Sequence, residues 1–185
     1  FVQRMVRMCE VVEKMHQAYL PSPFLSSVVD DCIEKGTDVT EGGAVYNFSG
    51  IQAIQAANVA DSLHALEELV FEKKLTDRER MLEALRSNFS GYGILRQICL
   101  NKVPKYGNDI PEVDERGRFW LKYFAKSLGK FSNYRGGKYN LGLYTVSAHV
   151  PMGQNVAATP DGRLAGTPLA DGGVSPMPGR DKEGP

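Results

Sequence analysis

The sequence predicts an α/β chain that is mostly helical, and three observations carry that reading. Apolar residues in the first two-thirds recur at three- and four-residue steps, the period of helices with one buried face. Residues 143–150 alternate among β-forming types, the period of a strand. Residues 151–185 hold seven glycines and six prolines, too many for regular structure. The 185 residues suit one ordinary domain with a sizeable core, and 42% hydrophobic against 24% charged residues is a globular balance.

Val2, Met5, Val6, Cys9, Val12, Met15 and Tyr19 form one apolar stripe of a helix over 1–19. Pro21-Ser22-Pro23 breaks it, and Ser22 caps a second helix over 22–35 with Pro23 at its first position, where the missing N–H is no loss. Phe24, Leu25, Val28, Val29, Cys32 and Ile33 are its expected buried face, and Gly36 its left-handed exit. Residues 37–50 carry turn chemistry around Gly42-Gly43 with at most one short strand. Ser49 or Gly50 is expected to open a helix to about Glu72. Thr76-Asp77-Arg78-Glu79 reads as a capping box for a helix to about Asn88. Tyr92–Leu100 and Pro111–Phe131 complete the helices, with Gly117 a weak point in the last and the aromatics Phe119, Trp120, Tyr123 and Phe124 on its core side.

The strand over 143–150 has no neighbour in sequence to pair with, so its partners are expected outside this chain, with 139–185 mobile or paired to another molecule. In the loop beyond, Val156, Leu164, Leu169, Val174 and Met177 are spaced as apolar anchors, which favours an ordered loop packed on a larger body. The organisation is therefore a helical region over 1–138 and a strand plus long loop over 139–185.

Twenty-two basic residues balance 22 acidic ones, which gives no electrostatic reason to expect nucleic acid or an anionic membrane as partner. No apolar stretch approaches the ~20 residues of a membrane helix. The first ten residues carry Arg4, Arg7 and Glu10 and do not read as a signal peptide; the chain also lacks an initiator Met and reads as a fragment. Cys9, Cys32 and Cys99 are odd in number and form no CxxC pair, which points to a reducing, cytoplasmic compartment and away from disulfides and zinc.

Cys32-Ile33-Glu34 sets a thiol beside a carboxylate, a pairing suited to radical or nucleophilic work, but its place on an apolar helix face favours plain packing. Gly91-Tyr92-Gly93 lacks the third glycine and the preceding strand of a phosphate cradle. Ser62, Ser147 and His149 lack a nucleophile elbow, and His149 reads as a hydrogen-bonded structural histidine.

Ala158-Thr159-Pro160-Asp161-Gly162-Arg163-Leu164-Ala165-Gly166, followed by Pro168-Leu169-Ala170-Asp171-Gly172-Gly173-Val174-Ser175-Pro176, resembles the glycyl radical enzymes of the pyruvate formate-lyase family. Gly42–Asn47, Asn58–Leu63, Pro104–Asp109 and Gly179–Pro185 match the same family in the same order. The resemblance implies a segment of a ten-stranded α/β barrel ringed by helices. In that family a glycyl radical, installed by a radical SAM activating enzyme, oxidises a cysteine whose thiyl radical abstracts hydrogen from substrate. The cysteine motif is expected before Phe1 and the radical glycine after Pro185, so the fragment alone is expected to be inactive, with no catalytic residue and no metal ligand of its own.

The run Pro168–Pro176 resembles the dehydratase and lyase branch more than pyruvate formate-lyase itself. The function implied is radical C–O, C–N or C–S elimination from a small hydroxylated substrate, in an anaerobic, cytoplasmic, homodimeric enzyme. The alternatives are formate C-acetyltransferase activity and a non-catalytic scaffold. By resemblance, Tyr144 and Val146 match substrate-binding positions and Asn140 reaches the same region; packing within the barrel is the competing role for Tyr144 and Val146. Asp161 and Arg163 are expected to fix the loop.

Overall fold

A computed structural model of the chain describes residues 1–183. It is about half helical with one two-stranded sheet, as the mostly helical α/β expectation requires. Two compact units form: Phe1–Ile51 with Tyr123–Gly142, and Gln52–Lys122 with Leu143 onward.

In the first unit, helix α1 (Val2–Tyr19) follows the apolar stripe. Only the N-terminal half of that stripe is buried, however. Val6 is buried with Ile51, Leu128 and Tyr139, and Val2, Met5 and Cys9 pack on them, while Val12, Met15 and Tyr19 are at least half exposed. The expected helix over 22–35 is instead two single turns, α2 (Pro23–Ser26) and α3 (Cys32–Lys35). The cause lies between them. β-Branched Val28-Val29 disfavours the helix, and Asp31 adopts φ +74°, a left-handed conformation that short polar side chains tolerate. Of the expected buried face only Cys32 is buried; Phe24, Leu25, Val28 and Ile33 are exposed. Gly36 does supply the left-handed exit. Ser22 makes no side-chain cap; its N–H donates to Asp38 at 3.0 Å.

Ser49 and Gly50 open a strand, not a helix. β1 (Ser49–Gln52) alternates buried and exposed residues, with Ser49 and Ile51 inward. Its partner is β2 (Tyr139–Gly142), which lies before the strand expected over 143–150. Asn133 braces the pair, donating to the Asn47 carbonyl at 2.6 Å and to Ser49 Oγ at 2.7 Å.

The second unit begins with α4 (Ala56–Leu66), which widens into a π-helical turn over Glu67–Glu72. α5 (Arg78–Arg86) is capped by Asp77 and not by Thr76: Asp77 Oδ1 accepts the Arg80 N–H at 2.7 Å, the geometry of an N-cap carboxylate. α6 (Gly93–Asn101) follows, then α7 (Pro111–Leu128), whose last turns belong to the first unit. Gly117 does not break α7; a Cβ there would stand 3.4 Å from that of Ala60 on α4, an ordinary packing distance. Phe119, Trp120 and Tyr123 are exposed, not core, and only Phe124 of the four aromatics packs inward. The core of this unit gathers Ala65, Leu69, Met81, Ala84, Phe89, Leu95, Cys99 and Val103 from α4, the π-turn, α5, α6 and the turns after α5 and α6. α8 (His149–Gln154) follows, and after it a long loop held by backbone hydrogen bonds as far as Arg180.

Candidate functional site

The long loop is built on one arginine. Arg163 is 4% exposed, and its guanidinium donates to the carbonyls of Val156, Ala157, Leu164 and Thr167 at 2.6–3.1 Å. A planar fork of donors satisfies a ring of carbonyls that a chain without regular structure would otherwise bury unpaired. Asp161 accepts from Thr159 and from the Arg163 N–H, which closes the turn from the other side. The apolar anchors partly follow expectation: Leu169 is buried and Leu164 packs on the core, while Val174 is exposed.

This loop fixes the segment that carries two of the candidate residues. Thr145 and Gly172 form an antiparallel bridge, with the Val146 N–H donating to Asp171 at 3.0 Å and the Gly173 N–H to Tyr144 at 2.8 Å. The pairing partner expected outside this chain is therefore inside it, and His149 begins α8 instead of continuing a strand. Gly172 makes the approach possible. It holds φ +104°, and a Cβ would meet the Tyr144 carbonyl at 2.8 Å and the Val146 nitrogen at 3.0 Å. On this pinned backbone Tyr144 is 58% exposed and Val146 half-buried. Asn140 is exposed on β2, in the first unit. A cleft of about 620 Å³ in the second unit, bordered by Tyr106, Asp109, Asp114, Arg118 and Pro176, includes neither Tyr144 nor Val146.

Beneath the loop lies a buried polar stripe. Asn58, Asp61, His64 and Glu68 recur at three- and four-residue steps along α4 and the π-helical turn that follows it and are each at least nine-tenths buried. Sequence reasoning missed that burial, although four polar residues at helical spacing beside Ala57, Ala60 and Ala65 were a usable signal. Asp61 accepts the Tyr106 N–H at 2.7 Å, and burial pushes its carboxyl up to about 7. Lys105, lowered by burial, donates to the carbonyls of Cys99 and Val103 at 2.6 and 3.0 Å. His64, also lowered by burial, lies 3.4 Å from Glu68, which Lys73 pairs in turn. Cys99 is fully buried and its thiol is raised to about 11 by desolvation; Cys32 is 3% exposed.

No helix among the described residues is long and apolar enough to cross a membrane. Residues 1–153 match the pyruvate formate lyase-like family. The chain is 38% identical over 176 residues to trans-4-hydroxy-L-proline dehydratase of Clostridioides difficile, covering 95% of this chain and 22% of that protein. It superposes on the glycerol-bound B12-independent glycerol dehydratase of Clostridium butyricum with a TM-score of 0.94 and 41% identity, over all of this chain and 23% of that one. A Roseburia inulinivorans structure described for 1,2-propanediol dehydration gives 0.93 and 44%, over 99% and 24%. The chain thus spans about a quarter of the length of the relatives it matches. The matched family model, the superposition over the whole chain and the dehydratases among its relatives together make the chain a member of the pyruvate formate lyase-like family of glycyl radical enzymes, on its dehydratase and lyase branch.

Proposed function

We propose that the whole protein eliminates water or another small leaving group from a small hydroxylated substrate, and that this chain supplies part of the substrate pocket wall through Tyr144 and Val146. The observation that carries the reading is an aromatic ring left 58% exposed on a backbone hydrogen-bonded on both sides of Thr145. A pocket wall needs a fixed mount for its side chains, and the bridge supplies one. An aromatic and an aliphatic residue two apart offer an apolar surface that orients a small polyol and excludes water from the reacting carbon. Asn140 is a separate candidate for substrate contact, carried by β2.

Cys99 and Cys32 do not fit the radical-carrying cysteine. Both are buried among the side chains of this chain, so neither presents a sulfur to substrate. The radical glycine, the radical SAM activating enzyme that installs it, a homodimeric assembly and a cytoplasmic setting belong to the proposal for the whole protein, and family membership supports them.

The test is an anaerobic assay of the activated full-length protein on glycerol, 1,2-propanediol, choline, isethionate and trans-4-hydroxyproline. Elimination from one of them is the expected result. Formate and acetyl-CoA from pyruvate and CoA, with no elimination, would overturn it.

A further inference from the structure

Asn58 is 5% exposed on α4, and its Oδ1 accepts the N–H of Ala170 at 2.8 Å. Its Nδ2 points to Met177 Sδ at 3.4 Å, so both ends of the amide engage the long loop. Ala170 is itself fully buried, and the next carbonyl, that of Asp171, accepts the Val146 N–H. One peptide therefore separates the Asn58 anchor from the bridge that carries Tyr144 and Val146. Segment 169–173 belongs to no helix or named strand, so its place depends on such single bonds. The choice of an amide is chemically apt. Asp61 lies three residues along the same helix, and a second carboxylate there would add charge to a buried stripe, whereas an amide accepts without charge.

We infer that Asn58 is a positioning residue for substrate selection: acting through Ala170 and Asp171, it fixes the depth at which Tyr144 and Val146 stand. The inference rests on the reading of those two residues as pocket wall. Misplacement of a substrate-facing group by about 1 Å can cost on the order of 100-fold in rate, so an anchor one peptide away has leverage on selectivity.

The test uses the full-length protein with Asn58→Leu, which keeps the branched outline and removes the acceptor, and Asn58→Gln, which keeps the amide. Asn58→Ala serves if the leucine variant does not fold. Two quantities are read: hydrogen exchange at the Val146 and Gly173 amides, and the ratio of kcat/KM for 1,2-propanediol to that for glycerol. In Asn58→Leu the two amides exchange at least about tenfold faster, with the rest of α4 unchanged, and the ratio moves at least about tenfold; Asn58→Gln restores most of both. Unchanged exchange in a folded acceptor-less variant would overturn the anchor. Faster exchange with an unmoved ratio would instead overturn the wall reading, and with it the part of Asn58 in selectivity.

Discussion

The carboxyl of Asp61 accepts the backbone N–H of Tyr106 at 2.7 Å while being only 1% exposed, and so ties the loop after α6 to the middle of α4. Burial outweighs this hydrogen bond and the nearby Lys105 charge, and raises the group to about 7. The folded state therefore keeps a proton that the unfolded chain releases near the usual carboxylate value of 3.8. Stability falls as pH rises through the window between about 4 and 7, and levels above it.

Asp61→Asn removes that dependence and retains an acceptor for Tyr106. In the full-length protein the variant should gain thermal midpoint relative to wild type as pH rises from 5 to 8. A difference independent of pH would show that Asp61 is ionised in the fold.

Gly172→Ala places a methyl group against Tyr144 and Val146 backbone and asks alanine to hold φ +104°. A left-handed residue alone costs about 1–2 kcal/mol, and the clash adds to it. Gly166→Ala is the control, with φ +76° and nothing within 4 Å of the new Cβ. The Gly172 variant should lose at least about tenfold in kcat/KM for elimination, the Gly166 variant much less; equal losses would mean that the bridge does not set the wall.

Arg163→Lys keeps the charge and loses the fork. One ammonium cannot serve the carbonyls of Val156, Ala157, Leu164 and Thr167, and each buried acceptor left unpaired costs about 1–3 kcal/mol. Limited proteolysis should cut the variant between residues 155 and 170 where wild type resists. Equal resistance would contradict the role given to this side chain.

Cys32→Ala and Cys99→Ala should leave elimination turnover within about threefold of wild type, with modest losses of thermal midpoint, because both thiols are packed inside. Abolished turnover in either folded variant would place a radical-bearing sulfur within this chain.

The sequence revealed what depends on local chemistry. α1 follows its apolar period, Gly36 ends α3, and Asp161 and Arg163 fix the loop as their glycine-rich setting suggested. Four-residue strands were not legible, since Ser49–Gln52 finds its partner some ninety residues away and a short apolar run fits either period. The exposure of Phe24, Val28 and Ile33 was illegible for another reason: periodicity identifies an apolar face and says nothing of what covers it. Asn58 and Asp61 stand in a run that matches the family, but their burial was illegible because polar residues on a helix read as solvent-facing until burial shows otherwise.

The central claim is that Tyr144 touches substrate, and the most direct measurement is anaerobic kcat/KM of the activated full-length protein for its best eliminated substrate, wild type against Tyr144→Ala, beside exchange at the Val146 amide. The expected result is a loss of at least about tenfold in kcat/KM with exchange at Val146 unchanged, since the bridge uses only the Tyr144 backbone. Unaltered kcat/KM in a folded, fully activated Tyr144→Ala protein would contradict it.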